Sequence, residues 1–173
     1  LVIFAARFLI DKSARKLIYF LISILIMQSV LVLETHQKKT KKEFIVFHKS
    51  RNSVIGIRAG EQLLVYHDLD SLSIRESNFI TSYRIGENID QAFKNNIPSF
   101  FEYQKQQILV IDSLGIYQLK GLKNPIVILQ YSPKLNLERL IKTINPKQII
   151  ADGNNYKTFV NRWKVICENE KTP

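Results

Sequence analysis

The chain has 173 residues, 46% of them hydrophobic, which is enough for one domain with a real core and little more, and excludes a disordered chain. A formal net charge of +10 points to nucleic acid or a membrane surface only if it is clustered, and half of it is: up to Glu43 there are eight Lys/Arg (Arg7, Lys12, Arg15, Lys16, Lys38, Lys39, Lys41, Lys42) against three acids, Asp11, Glu34 and Glu43. The single cysteine, Cys167, excludes an internal disulfide and any multi-cysteine metal site.

In chain order, "LVIFAARFLI" (1–10) reads as the end of a membrane span and "DKSARK" (11–16) as a short basic loop. "LIYFLISILIMQSVLVL" (17–33) has 17 residues without a charge, closed by Lys16 and Glu34. That length is at the lower limit for crossing a hydrocarbon core of about 30 Å. A core helix or a signal peptide passes the same length test, but the second apolar run upstream of a basic turn favours a transmembrane helix. A start at Leu1 and a stop at Pro173 just after a helix read as the ends of a piece of a longer protein. The run "ETHQKKTKK" lies within a polar, basic tether (34–43), and a soluble domain, cut short at its C-terminus, is expected over 44–173.

Within that domain "EFIVFHK", "SVIGIR" and "QLLVYHD" read as three strands joined by the turns "SRN" and "AGE". The run "FITSYRI" follows, then a short helix from Ile89 to Asn95, a hairpin "ILVIDSLGIYQL", and a buried strand "PIVILQY". Next come a helix "LERLIKTI" with Asn136 as its N-cap, a strand "QIIA", the turn "DGNN", and a last helix. Its stripe is expected to hold Tyr156, Phe159, Val160, Trp163, Ile166 and Cys167. Antiparallel strands first and a β-α-β-α run last imply an α+β fold, a layered α/β sandwich, preceded by the transmembrane helix.

Hydrolytic metal sites need several His, Asp or Glu converging on one ion with a position left open for water. The three histidines are scattered: His36 in the tether, His48 and His67 at strand ends. A set of His67, Asp68, Asp70 and Asp152 is conceivable, but adjacent strand residues point to opposite faces, so His67 and Asp68 cannot easily share an ion. No serine sits in a G-x-S-x-G elbow, there is no P-loop or G-x-G-x-x-G, and Cys167 is most simply a small core residue. Contact with DNA has weak support from Lys157, Arg162 and Lys164 on the last helix and Lys134, Arg139 and Lys142 on or near the previous one, with Tyr131 and Tyr156 as stacking faces. Solvated helix faces look the same.

A terminal span followed by "FHKSRNSVIGIRAGEQLLVYHD" and ending in "NPKQIIADGNNYKTFVNRWKVICENEKTP" resembles the C-terminal part of the ComEC family of competence DNA-uptake channels, in its Bacteroidetes-type form. In most of that family the span leads into a metallo-β-lactamase-like domain that opens with "F-x-D-V-G-Q-G-D-x-x-x-I" and a strand ending in Asp. Phe47 to Ile57 occupies that opening and Asp68 the strand-end acid. The order of "IVILQYSPKLNLERLIKTINPKQIIADGNNY" follows the family's later strand, "H-H-G-S", helix, "P-x-x-x-x-I-S" and Asn-containing turn. The departures are in the chemistry. The metal-binding "H-x-D-x-D-H" is absent, Tyr131, Ser132 and Pro133 stand where the later histidine pair would be, and the acidic opening loop has become the basic "HKSRNS".

The resemblance thus implies a degenerate metallo-β-lactamase-like domain with no metal, cofactor or catalytic residue, on a channel in the bacterial inner membrane, with the domain in the periplasm. Its partners would be DNA, single-stranded in this setting, the membrane, and the remainder of the channel. Phosphate contacts fall to Lys49, Arg51, Lys134, Arg139, Lys157 and Arg162. The alternatives are a structural domain packed on the channel or a partner, and an active metal-dependent nuclease, which the missing ligands disfavour.

Overall fold

The central strands are apolar on both alternating phases, and the protein packs the two phases against different layers. The computed structural model describes residues 2–3, 13–75, 77–94, 96–117, 119 and 121–173. Strands β1 (Lys42–Lys49), β2 (Asn52–Ala59), β3 (Gln62–His67) and β4 (Asp90–Lys94) form one sheet in that order. Strands β5 (Phe100–Tyr103), β6 (Gln106–Ile111), β7 (Ile126–Leu129) and β8 (Gln148–Ala151) form a second. The helices are α1 (Ala14–Thr40), α2 (Ser71–Arg75), α3 (Asn78–Glu87), α4 (Leu137–Ile144) and α5 (Lys157–Asn169).

One phase of each sheet meets the other sheet: Ile55 of β2 packs with Ile108 and Val110 of β6 and Ile128 of β7, edged by Phe44, Val46, Tyr66 and Phe101. On the opposite phase Val54, Leu63 and Val65 meet Ile74 of α2 and Ile80 of α3. The other sheet turns Leu109, Ile111, Val127 and Leu129 toward Leu137, Leu140 and Ile141 of α4 and Trp163 of α5. The result is four layers, helix, sheet, sheet, helix, with period-two alternation deciding which layer each side chain enters.

Three local expectations within the domain change. The described part of 89–95, residues 89–94, is not helical: Asp90–Lys94 is β4, paired parallel to β3. Ile89 and Phe93, four apart, satisfy a strand as well as a helix, and both join the core beside β3. The run "FITSYRI" lies in α3, which ends on Asn88 in the left-handed conformation (φ 50°). The hairpin is not at "DSLG". It lies upstream, β5 to β6 across Gln104 and Lys105, both with positive φ (49° and 64°), while the other edge of β6 pairs parallel to β7. Tyr156 leaves the apolar stripe of α5, since it is the N-cap residue and 72% exposed.

The expected upstream span and the first part of the basic loop lie outside the described residues, apart from 2–3. Helix α1 begins at Ala14, so residues 14–16 of the expected loop are helical; it covers all of 17–33 and continues through Thr40, so residues 34–40 are helical too. Its 27 residues have a mean hydropathy of 2.2 over the most apolar window, none of that window buried. At 1.5 Å per residue the helix is about 40 Å long, so its polar end projects beyond a hydrocarbon core of about 30 Å.

That end is seated on the domain by one side chain. Arg58 of β2 lies on the phase of Val54, and its side chain is fully buried. Its Nη2 donates to the Lys38 carbonyl near the end of α1 at 3.2 Å, and Nε donates to the Gly60 carbonyl at 2.9 Å. Its Nη1 donates to Glu87 Oε2 at 2.7 Å and reaches Glu43 Oε2 at 3.4 Å and the Tyr83 hydroxyl at 3.3 Å. A cation here satisfies one of the orphan carbonyls of a helix C-terminus and complements its dipole. Gly60 is required at the β2–β3 turn: φ is +63°, and a Cβ would stand 2.5 Å from the Lys39 carbonyl.

Arg58 in turn holds Glu87 below the usual carboxylate range, chiefly through its hydrogen bond. Arg58→Ala removes a fully buried side chain and the donor to the Lys38 and Gly60 carbonyls, while Glu43 and Glu87 keep Lys41 at 3.1 and 3.3 Å, so it is expected to cost about 2–3 kcal/mol. Denaturant unfolding of the full chain in detergent measures this; a loss under about 1 kcal/mol, the level of an exposed pair, would contradict it.

Candidate functional site

At one end of the seam between the sheets, the apolar inter-sheet layer gives way to polar side chains. Ser53 is the second residue of β2 and is fully buried. Its N–H donates to both oxygens of Asp68, at 2.9 and 3.0 Å, and its hydroxyl donates to Asp152 Oδ2. Asp68 follows β3 in the first sheet and Asp152 follows β8 in the second, so two carboxylates from different sheets converge on one serine. The Tyr131 hydroxyl donates to Asp68 Oδ2. Asp152 Oδ1 accepts the Asn154 N–H at 3.1 Å and Asn155 Nδ2 at 2.9 Å, and Asn154 Nδ2 reaches Ser53 Oγ at 3.3 Å.

The backbone around this cluster is held in uncommon shapes. Tyr131 and Ser132 are consecutive left-handed residues (φ 58° and 50°), a conformation that costs energy for a bulky side chain. It persists because Ser132 N donates to Asn155 Oδ1 and Ser132 Oγ accepts the Tyr156 N–H, both at 2.8 Å. The turn "DGNN" is also pressed against the β1–β2 turn. Arg51 N donates to the Gly153 carbonyl at 3.3 Å, and a Cβ on Gly153 would stand 2.6 Å from the Lys49 carbonyl and 2.9 Å from His48 Nδ1.

Burial pushes the Asp152 carboxyl up to about 6, with the Ser53 hydroxyl and the Asn154 N–H pulling down and the Asp68 charge adding to the rise. Burial and the bond to Asp68 also push the Tyr131 hydroxyl above its usual range. Folding thus raises the Asp152 pKa, so its stabilising contribution is full below the ordinary value of 3.8 and is lost as pH rises through about 6. Asp152→Asn removes this component. On acidification from neutral pH to about 4, wild type is expected to gain about 2–3 kcal/mol relative to that variant, at about 1.4 kcal/mol per unit. Paired denaturant titrations across this range check it; a difference independent of pH would contradict it.

The conceivable metal set is not assembled. His67 lies on the helix-facing phase, its ring edge-on to Phe93 at 5.8 Å and Nδ1 3.1 Å from the Leu69 carbonyl, away from the inter-sheet side of Asp68. Asp70 starts α2, accepting the Leu72 and Ser73 N–H groups at 3.1 and 2.8 Å. Among the described residues no group of three or more His, Cys, Asp or Glu is placed to hold a metal ion. Both carboxylates at the seam are already engaged by protein donors. The described residues do not fit a catalytic metal centre.

The six basic candidates divide into separate places. Arg51 and Lys157 line one cleft of about 490 Å³, between the β1–β2 turn and the start of α5, together with His48, Asn154, Tyr156 and Asn161. Lys134 and Arg162 line another, of about 470 Å³, between α4 and α5. Lys49 is turned to the opposite side of its sheet, with Nζ 6.0 Å from the centre of the Phe79 ring, so it does not share a surface with Arg51. Arg139 is exposed on α4, its N–H capped by Asn136 Oδ1 at 2.9 Å. Lys142 and Lys164 pair with Glu170 and Glu168, at 3.2 and 4.0 Å. Tyr131 is tied to Asp68, whereas Tyr156 presents its ring to solvent. Cys167 is partly buried against the α4–α5 core.

Compared with known proteins, residues 44–173 match the family model described as the ComEC C-terminal domain. No curated protein and no solved structure matches the chain.

Proposed function

The chain belongs to the ComEC C-terminal domain family, and from that premise we propose that it is a non-catalytic, membrane-tethered part of a competence DNA-uptake channel, helping to receive or guide DNA across the inner membrane. The observation that carries the non-catalytic part is the closed seam: Asp68 and Asp152 spend their oxygens on Ser53, Tyr131, Asn154 and Asn155, leaving no open ligand set for an ion and its water. The helix, sheet, sheet, helix layering supports descent from a metallo-β-lactamase-like hydrolase whose metal ligands have been replaced.

Helix α1 serves as the membrane anchor, since its apolar stretch is uncovered by the domain. The domain is assigned to the periplasm because the basic residues just before the apolar stretch, Lys12, Arg15 and Lys16, belong on the cytoplasmic side. The basic residues Lys38, Lys39, Lys41 and Lys42 pull the other way, toward an anionic cytoplasmic leaflet, but long domains translocate largely regardless of charge. DNA contact falls to Lys49, Arg51, Lys134, Arg139, Lys157 and Arg162, through phosphates and without base preference. A purely structural domain is the alternative, favoured by the firm seating of α1 on the sheet through Arg58.

Two measurements on the full chain check this. Expressed in bacteria, it is expected to stay with the membrane fraction after alkaline extraction; recovery as a soluble protein without detergent would contradict the anchor. Purified in detergent with zinc and manganese supplied, it is expected to hold substoichiometric metal and to leave single- and double-stranded DNA intact. One tightly held ion per chain with DNA hydrolysis, both abolished by Asp152→Ala, would overturn the non-catalytic assignment.

A further inference from the structure

We propose that the cleft between the β1–β2 turn and the start of α5 is a single-strand nucleotide site, in which Arg51 and Lys157 hold a phosphate and the exposed Tyr156 ring stacks on the adjoining base. This deepens the assignment above and rests on it. Of the six basic candidates, only Arg51 and Lys157 share a concavity with an exposed aromatic ring that is free to stack. The volume of about 490 Å³ falls within the roughly 300–1,000 Å³ of sites that enclose a small ligand. A concave site of that size suits a splayed nucleotide, whereas a duplex offers its bases only as edges in the grooves.

The cleft is electropositive although Asp152 forms part of its wall. By formal charge its lining is still net positive, Arg51 and Lys157 against the single Asp152, which is 6% exposed and bonded through both oxygens to Ser53, Asn154 and Asn155. Arg51, Lys157 and His48 face it, and among the described residues no ion pair engages Arg51 or Lys157. Asn154 and Asn161 add amides that can meet a phosphate, a sugar or any base edge, which gives contact without a sequence code. The bases of a single strand can stack on one ring whatever their identity. The cleft is held open by contacts already described: the Arg51 N–H to Gly153 bond and the missing side chain at Gly153 fix the distance between its two rims.

The test is equilibrium binding of the full chain in detergent to a fluorescent 12-nucleotide oligothymidylate, the same oligomer with abasic sites, and a duplex of equal length. Wild type is expected to prefer the oligothymidylate. Arg51→Glu with Lys157→Glu is expected to weaken it at least tenfold, beyond the loss in the charge-matched control Lys105→Glu with Lys123→Glu, whose residues lie on exposed loops of the second sheet. Tyr156→Ala is expected to weaken oligothymidylate roughly tenfold and leave the abasic oligomer unchanged. If wild type binds but the cleft pair loses no more than the control pair, or Tyr156→Ala has no effect on oligothymidylate, the cleft is not the site while DNA contact stands. If wild type binds none of the three, DNA contact itself fails, and this site with it. The abasic comparison needs no substitution and holds even if a variant misfolds.

Discussion

Two carboxylates meeting on one serine is the constraint on which the functional end of this domain depends. Asp68 belongs to the first sheet and Asp152 to the second, and Ser53 binds one through its N–H and the other through its hydroxyl. Two acids brought together in a buried place would repel each other, and the neutral donors of Ser53, Tyr131, Asn154 and Asn155 make the arrangement tolerable. The raised pKa of Asp152 records what burial still costs. The same bonds draw the β1–β2 turn against "DGNN", and the basic cleft is the gap this leaves beside α5. A hydrolase needs those oxygens for an ion; here they serve as fasteners between sheets.

At the far end of the same strand, Arg58 does a comparable job for the apolar helix α1. The expected tether of residues 34–43 suggests a domain free to swing. Instead α1 runs as a helix to Thr40 and its end is bonded to the β2–β3 turn and, through Glu87, to α3. Lys38 Nζ adds a contact to the Gly86 carbonyl at 3.4 Å. Strand β2 thus carries the seam at Ser53 and the seat of α1 at Arg58, only five residues apart, so the cleft keeps a defined position relative to α1.

How much of this was legible follows from how local each signal is. Helix α4 with its Asn136 cap, strands β7 and β8, and α5 are specified by short-range periodicity and capping, and the chain shows them where the pattern puts them. Strand β4 was hidden because Ile89 and Phe93 fit both periods, and only the partner strand decides between them. The site was half visible. Asp68 stood out as a strand-end acid and Asp152 as a member of the conceivable metal set, but their partner Ser53 is 99 residues away from Asp152 in sequence, and nothing near it marks it. Asn154 and Asn155 looked like turn residues, which they are, and their amides are also the donors that hold Asp152. Arg58 did leave a trace, a charge on the same strand phase as Val54 and Gly56, which only a buried partner set explains.

The central claim is that DNA passes this domain in contact with the cleft and leaves it chemically unchanged. Photocrosslinking tests it most directly: the full chain in membranes, irradiated with a single strand carrying 4-thiothymidine, then mapped by mass spectrometry and with the DNA sized on a gel. Crosslinks concentrated in the peptide around Tyr156, with full-length DNA recovered, are the predicted result. Crosslinks absent from residues 151–161, or DNA recovered as fragments, would contradict the account.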